Sequence, residues 1–278
     1  MRDITRPFVL RHNGRMMFYG RSFFLGLALV GSGLCWSPAA WAAPDEIQVY
    51  NEDIHKPGEA GLELHLNHVP SGRKVPSYAG EMRSDHRFQA TMEWSYGWTS
   101  TWEAGLYVPV ARDVSGSWVG NGLRARLKYI APEVEGSPWR WGVNAEVGVS
   151  AHRVSESPRG LEVRPIVAWE NAQWALAFNP ILAVDLSSGA SRRPAFEPAI
   201  KLARKLAQEQ AVGLEAYADW GPWGQWNPAG RRPMALFATW DGQWRGVEMN
   251  LGVGRGFQGY EDRWVLKAIL GWTLGPSH

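Results

Sequence analysis

Charged side chains recur at every second position in several stretches of this 278-residue chain. In GLRARLKYI (122–130), Arg124, Arg126 and Lys128 alternate with apolar residues. Residues two apart in an extended strand point to the same face, so these three cations share one side. Such a face can form ion pairs with acidic residues on neighbouring strands. We expect it to face Glu93, Glu103 and Glu146 across a shared polar space.

The histidines and the glycine-rich stretches are weaker signals for chemistry. His65 and His68 stand three apart, which places them on opposite faces of a strand and argues against a shared metal site. GNG (120–122) and GVGRG (252–256) resemble pieces of phosphate-binding loops, but both lie in strand patterns with no helix after them. Glycine there is better explained as relief of crowding in a curved strand. We therefore predict no catalytic residue, no metal and no cofactor.

Residues 1–42 are predicted to be a signal peptide for Sec export, cleaved near Ala43. Basic residues precede an apolar run at 23–34, and AWA (40–42) supplies the small residues that a signal peptidase recognises. The run is shorter than the roughly 20 residues of a membrane-spanning helix. Cys35, the single cysteine, would leave with this segment, so no disulfide is expected in the mature chain.

The net charge of the chain also depends on this leader. Residues 1–42 contain five of the 29 basic residues and one of the 27 acidic residues, so 24 basic and 26 acidic residues remain after cleavage. The apparent basicity is therefore part of the targeting signal and does not indicate nucleic-acid binding.

Period-2 alternation of apolar and polar residues continues almost to the end of the chain and predicts an all-β protein. In HRFQATMEWSYGWTST (86–101), Phe88, Met92 and Trp94 alternate with polar residues. We predict twelve strands, near 60–69, 86–101, 101–111, 119–130, 139–152, 160–170, 173–186, 195–207, 211–220, 233–241, 244–255 and 262–273.

The stretch 195–207 is the one whose secondary structure is contested. It also carries an apolar stripe at helical spacing, made of Ala199, Leu202, Ala203, Leu206 and Ala207. Pro194 and Pro198 disfavour a long helix there, and a helix would interrupt the order of connectors. We therefore predict a strand.

The connectors between the predicted strands alternate in length. Tight turns are expected at 99–100, 171–172, 208–210 and 241–243, whereas longer connectors occupy 70–85, 112–118, 153–159, 187–194, 221–232 and 256–261. The link at 131–138 is longer than this rule predicts. Short turns on one side and long loops on the other are typical of bacterial outer-membrane barrels. We predict a transmembrane antiparallel β-barrel at 60–273, with a periplasmic N-terminal segment at 43–59, a tail at 274–278 and both termini in the periplasm.

The two faces of the strands decide between a membrane barrel and a secreted soluble β-sandwich, which is the structural alternative. Tryptophans cluster near predicted strand ends, at Trp94, Trp98, Trp102, Trp139, Trp141, Trp169, Trp174, Trp240 and Trp244. Such positions match the aromatic belts of membrane barrels. The residues predicted to line the lumen are Glu63, His65, Arg87, Glu93, Glu103, Arg124, Arg126, Lys128, Glu146, Glu162, Arg164, Glu215, Asp219 and Lys267. Their mixed charge predicts a narrow or partly self-plugged lumen.

Part of the sequence resembles a known family. MEWSYGWTSTWEAGLYVPV (92–110) resembles a strand–turn–strand signature of the meta-pathway phenol-degradation family of outer-membrane proteins. GLRARLKYIAP (122–132) and AVGLEAYADWGP (211–222) are similar to later strands of that family. The resemblance implies an outer-membrane barrel for uptake of a small, often hydrophobic or aromatic compound, and it implies no catalytic residues.

The sequence therefore predicts a Sec-exported channel or transporter of the bacterial outer membrane for a small solute. Its expected partners are outer-membrane lipids, the barrel-assembly machinery and the solute, without nucleic acid. Two alternatives stay open. One is an outer-membrane lipid-modifying enzyme, which needs a serine beside a histidine near the outer rim. The other is a secreted sandwich that binds carbohydrate through exposed tryptophans.

Overall fold

A computed structural model describes residues 45–206 and 209–275. The predicted leader, Ala207, Gln208 and the last three residues of the tail lie outside this part of the chain. The strands are β1 (Ala60–Ser71), β2 (Phe88–Gly97), β3 (Trp102–Arg112), β4 (Trp118–Gly120), β5 (Gly122–Ile130), β6 (Trp139–Ser150), β7 (Arg159–Glu170), β8 (Trp174–Asp185), β9 (Ala195–Lys205), β10 (Ala211–Ala218), β11 (Met234–Trp244), β12 (Val247–Phe257) and β13 (Trp264–Leu274). In the described part of the chain, the one helical element is a 3₁₀ turn at Ala229–Arg231, and no helix is long and apolar enough to cross a membrane.

The strands form one closed antiparallel sheet. Consecutive strands pair with each other, and β1 also pairs with β13, with Ala60 opposite Leu274. The short β4 and the longer β5 both pair with β3, and Asn121 separates them where Gly122 has a positive φ of 109°. Together they act as one barrel strand with a break. The barrel wall therefore consists of twelve strands, as the sequence predicts.

The stretch at 195–207 contains a strand rather than a helix, as predicted. Strand β9 pairs along its length with β8 on one side and with β10 on the other. Pro198 stands opposite Pro180 in the β8 pairing. A helix at this place would leave the edges of β8 and β10 without hydrogen-bond partners, which a membrane wall does not tolerate.

One predicted turn is wrong. The Asp241–Gly242 pair suggests a hairpin turn at 241–243, but Asp241 lies within β11 opposite Asn250 of β12. The turn is formed by Arg245 and Gly246, whose φ angles are 51° and 80°. Two consecutive positive φ values give the tight hairpin turn that suits strand twist, and glycine accommodates the second without strain.

The connectors at one end of the barrel are mostly shorter than those at the other. Strands are joined at one end by 98–101, 131–138, 171–173, 206–210 and 245–246, and we call this the turn end. The opposite end, the loop end, has the connectors 72–87, 113–117, 151–158, 186–194, 219–233 and 258–263. Two connectors depart from the pattern, because 131–138 at the turn end has eight residues and 113–117 at the loop end has five. Strand β1 begins and β13 ends at the turn end.

The barrel wall is polar inside and apolar outside. The side chains of Thr91 and Glu93 on β2, and of Arg87 just before it, are almost completely buried. In contrast, Met92 and Trp94, which alternate with them on β2, are 42% and 40% exposed. A soluble sandwich would have the opposite arrangement, with apolar side chains between two sheets. The single closed sheet with an apolar exterior therefore excludes the sandwich alternative.

Aromatic side chains form a belt on the outer wall near the turn end. The ring of Tyr129 lies 4.9 Å from that of Trp102 and 5.9 Å from that of Trp141. Trp139 and Trp169 pair beside them at 6.4 Å. Rings at this height suit the boundary between lipid and water.

Glycines of β12 make room for large inward side chains, as expected for the GVGRG stretch. A Cβ atom at Gly254 would lie 2.3 Å from the ring of Phe237, and one at Gly256 would lie 2.6 Å from that of Tyr260. These glycines therefore have a packing role in a curved strand.

Candidate functional site

The N-terminal segment before β1 runs inside the barrel. Residues 45–56, which we call the plug, extend from the middle of the lumen to the turn end, where the chain enters β1. The sequence predicted this segment in the periplasm. The difference arises because its partners lie on strands far away in the sequence, and the segment has no alternation of its own.

Inner-wall side chains hydrogen-bond to the backbone of the plug. The carbonyl of Asp45 accepts hydrogen bonds from Asn67 Nδ2 at 3.0 Å and from Thr91 Oγ1 at 3.2 Å. The carbonyl of Ile47 accepts one from Lys267 Nζ at 2.9 Å, and that of Gln48 accepts one from Arg164 Nη1 at 3.1 Å. The carbonyl of Asp53 accepts one from Lys128 Nζ. The N–H of His55 donates to Glu103 at 2.8 Å. Buried backbone polar groups need partners, and here side chains supply them in place of a neighbouring strand.

Tyr50 is the central residue of the plug. Its backbone N–H and carbonyl both bond to Asn179, at 2.7 and 2.9 Å. Its hydroxyl lies 2.6 Å from that of Tyr107 and donates to Glu146 at 3.2 Å. The guanidinium of Arg164 lies 4.2 Å from the ring centre, which adds a cation–π contact. Tyr50 thus connects strands β3, β6 and β7 through its side chain and β8 through its backbone.

The cations of β5 have separate roles. Arg126 bridges Glu93 and Glu103 at 2.6 and 2.7 Å. Arg124 instead pairs with two carboxylates of the plug, Asp45 at 3.2 Å and Glu46 at 3.4 Å. The sequence predicted that all three cations on this face pair with carboxylates of the wall. Two of them, Arg124 and Lys128, bind the plug instead.

A second ionic cluster lies on the opposite wall. Glu215 accepts from Lys267 at 2.6 Å and from the hydroxyl of Tyr217 at 2.7 Å. Lys201 lies 3.3 Å from Glu215 and donates to Asp241 at 2.7 Å. Because Lys267 also donates to Ile47, this cluster is connected to the plug.

Most of the predicted lumen residues lie on strands with their side chains on the inner face. Glu63 is half-buried, His65 and Glu146 are buried, and Glu162 pairs with Arg164 at 2.8 Å. Asp219 differs, because it follows the end of β10 and accepts the N–H of Gly221 at 2.6 Å. It stabilises a loop and does not belong to a strand.

Glu63, His65 and Glu93 bring three metal-ligand atoms within 4.8 Å of one another. The imidazole of His65 already contacts both carboxylates, at 3.4 and 3.2 Å. The positively charged guanidinium of Arg126 lies 2.6 Å from the carboxylate of Glu93. These side chains therefore already form an ion-pair network with one another and with Arg126. His68 points to the other face, so it does not join this group.

Apolar residues of the plug pack against separate patches of the wall. Ile47 belongs to a buried cluster with Val69, Phe237, Tyr260 and Val265 near the loop end. Val49 packs in a second cluster, with Ala177, Ile181 and Ala199 on β8 and β9. Burial of these side chains adds hydrophobic stabilisation to the hydrogen bonds of the plug.

The loop 72–87 closes over part of the loop end. Met82 is buried and its N–H donates to the carbonyl of Arg153 at 2.7 Å, which links the first loop to the connector after β6. Arg73 pairs with Glu81 at 2.6 Å and also contacts Glu261.

Burial opposes ionisation of Glu81, but hydrogen bonds from Arg73 and Ser77 outweigh it and lower the pKa of this carboxyl. The N–H of Gly72 lowers the pKa of Asp85 in the same loop. The ionised carboxylates of Glu81 and Asp85 therefore stabilise the loop.

A cavity of about 680 Å³ surrounds the plug near the turn end. Its lining includes eleven acidic residues and five lysines or arginines. Glu209 and Gln243 on its margin are exposed, so the cavity reaches the turn end. We call it the vestibule. An excess of carboxylates in a partly enclosed space raises the local concentration of cations.

The sequence did not identify the neutral polar residues of the site. Asn179, Asn144 and Tyr107 are buried, and each holds Tyr50 or the carboxylate that Tyr50 contacts. A signal was present, because asparagine at inward positions of a strand is unusual unless it has a buried partner.

Comparison with solved structures agrees with this architecture. An outer membrane channel from Pseudomonas putida F1 is similar with a TM-score of 0.56 and 11% identity, over 82% of this chain and 100% of the channel. The KdgM porin is similar with a TM-score of 0.53 and 8% identity, over 77% of this chain and 99% of the porin. No protein-family model matches the sequence, and a search of curated proteins found no relative. The chain thus has the transmembrane β-barrel fold found in outer-membrane channels.

Proposed function

We propose that this protein is an outer-membrane channel for a small solute and that the plug is its closing element. The observation that carries the proposal is the way the plug is held. The wall closes through its own strand pairing, and the plug is attached to it by side-chain contacts and packing. It can therefore leave the lumen without breaking a single hydrogen bond between strands.

The vestibule favours a small polar solute that is cationic or neutral. Its carboxylates attract cations and repel anions of similar size. The resemblance to the meta-pathway phenol-degradation family implies a hydrophobic or aromatic solute instead. The acidic lining supports the cationic class better, because an apolar compound gains little from a wall of charged side chains.

The proposed location is the bacterial outer membrane, with the turn end and both chain termini on the periplasmic side. The support is the connector pattern, since outer-membrane barrels have short periplasmic turns and longer external loops. The predicted leader is consistent with export. Membership of the meta-pathway family is proposed from the sequence resemblance.

The lipid-modifying alternative has less support. It requires a histidine beside a serine at the outer rim. His152 stands at the loop end, but its ring lies 5.1 Å from that of Tyr78 and its Nε2 contacts the carbonyl of Ala79 at 3.2 Å. These contacts give it a structural role.

Planar-bilayer recording tests the proposal. The mature chain is expected to show low conductance, and a variant lacking residues 45–56 is expected to show a larger and more persistent one. Under a potassium chloride gradient, the reversal potential should indicate cation preference. A heat-modifiability gel shows whether the shortened barrel is folded. Equal conductance of the two folded proteins, or anion preference, would contradict the proposal.

A further inference from the structure

Two neighbouring connectors at the loop end, 186–194 and 219–233, are joined into one surface. The N–H of Phe196 donates to the carbonyl of Gly221 at 3.0 Å, and that of Trp223 donates to Pro194 at 2.8 Å. The ring of Phe196 lies 5.5, 5.7 and 5.8 Å from those of Trp220, Trp223 and Trp226 respectively. We call these four rings and their flanking arginines the aromatic–arginine surface.

The aromatic part of this surface stays open to its surroundings. Trp223 is 53% exposed and Trp226 is 39% exposed, although both rings are fixed by edge-to-face contacts with their neighbours. Phe196 lies on the outward face of β9, because it alternates with the inward Glu197. The rings therefore stand on the outside of the barrel, at the height where the wall meets the loops.

Four arginines flank the rings, and the one acidic residue of the two connectors is Asp219, which is buried and accepts the N–H of Gly221. The arginines are Arg192, Arg193, Arg231 and Arg232, and neither 186–194 nor 220–233 contains aspartate or glutamate. Arg192 donates to the carbonyl of Asp185 at 2.8 Å, and the guanidinium of Arg232 lies 4.4 Å from the ring centre of Trp220. Arg193 and Arg231 are exposed.

An apolar notch lies on the outer wall close to this surface. Its volume is about 270 Å³, and its outward lining consists of Leu214, Leu236, Ala238, Val253, Arg255 and Trp264. Strand β10, which follows β9, provides one side of it. Arg255 stands at the edge nearer the loop end, with its guanidinium 5.6 Å from the ring centre of Trp264.

We propose that the aromatic–arginine surface binds a phosphorylated glycolipid of the outer leaflet. This rests on the proposed orientation, in which the loop end faces outward. Guanidinium groups pair with phosphate through short charge-assisted hydrogen bonds. Tryptophan rings offer a flat apolar face to sugars at the membrane boundary. The notch accommodates part of an acyl chain. A glycerophospholipid with one phosphate and no sugar ring matches this surface less well.

Titration of the mature protein in detergent tests the binding. The probes are bisphosphorylated lipid A, its dephosphorylated form and phosphatidylglycerol, with binding followed by tryptophan fluorescence. Lipid A is expected to bind tightest. The double variant R231Q/R232Q should weaken its binding about tenfold or more, because charge-assisted hydrogen bonds are lost.

The matched control is R204Q/R245Q, which removes two turn-end arginines that also lie near tryptophan rings, at 5.9 and 4.7 Å. It should leave lipid A binding unchanged. Equal loss in both variants, or equal affinity for phosphatidylglycerol and lipid A, would overturn the proposal.

Orientation is tested separately in intact cells. Arg231→Cys should react with a membrane-impermeant maleimide, since the single native cysteine lies in the predicted leader. Absence of labelling in a folded variant would also overturn the glycolipid proposal. The binding result and the bilayer result are independent, so failure of the channel proposal would not be mistaken for failure of this one.

Discussion

Asn179 of β8 bonds to Tyr50 of the plug through both ends of its amide, as an adjacent strand would. The side chain accepts the N–H of Tyr50 at 2.7 Å and donates to its carbonyl at 2.9 Å. Both residues are buried. One amide therefore fixes the position of the plug backbone halfway across the lumen.

Replacement of Asn179 by alanine should loosen the plug. Two hydrogen bonds worth about 1 kcal/mol each are lost, which corresponds to a roughly thirtyfold increase in the population with the plug released. Single-channel recording should show more frequent openings, and the Tyr50 amide should exchange its hydrogen faster. Asn250→Ala is the control, because Asn250 also faces inward but bonds to Asp241 of the wall. Equal behaviour of the two variants would contradict the role of Asn179.

Replacement of Arg126 by glutamine should destabilise the barrel. It leaves Glu93 and Glu103 close together without their shared cation, and breaking a buried pair costs about 3–5 kcal/mol in soluble proteins, less where water enters. The temperature at which the folded gel band disappears should fall clearly. Arg153→Gln removes an exposed partner of Asp113 at 3.5 Å and should change this temperature little. A similar decrease in both variants would argue against a buried network.

An arginine in the middle of the outer wall should be costly. Ile200 is the central residue of β9 and is 41% exposed. Ile200→Arg should cost about 2–4 kcal/mol in lipid vesicles, whereas Leu206→Arg near the turn end should cost about 1 kcal/mol or less. Urea titration of vesicle-folded protein measures both. Equal costs would mean that this face does not cross lipid.

Acid should release the loop 72–87. Glu81 and Asp85 have pKa values lowered in the folded state, so the stability that they add is fully present above their unfolded pKa and is lost as pH falls through the folded pKa. Burial raises the pKa of Glu261, so this carboxyl is protonated first as the pH falls. Arg73 then loses its ion pair with Glu261 and keeps the one with Glu81.

Hydrogen exchange of the loop amides, corrected for intrinsic rates, should therefore increase between about pH 5 and about pH 3. Glu81→Gln should weaken the pH dependence. An unchanged dependence in this variant would assign the effect to other groups.

The sequence predicted the wall well because period-2 alternation is a local property. Met92 and Trp94 face outward and Thr91 and Glu93 face inward because neighbouring residues on a strand must diverge. The same rule placed β9 correctly despite its helical stripe. It could not place the turn at Arg245–Gly246, since the Asp241–Gly242 pair provides a stronger local signal four residues earlier.

The plug could not be predicted in this way. Its position depends on Asn179, Lys267 and Arg164, which lie more than 110 residues away in the sequence. The segment 45–56 is short and has no alternation, so only the three-dimensional wall defines its place. The apolar residues Ile47, Val49, Tyr50 and Ile54 in an otherwise polar segment were the one local indication that part of it is buried.

The pairing of the first strand with the last also sets a limit on how the molecule is made. Ala60 lies opposite Leu274, so the wall cannot close until nearly the whole chain has been synthesised. Contacts this distant in sequence form slowly. Until then, β1 and β13 each present a row of unpaired N–H and carbonyl groups, which is the surface on which strands of other chains aggregate. Each copy of this protein therefore passes through a period after translation when its two edges must be kept apart from those of its neighbours.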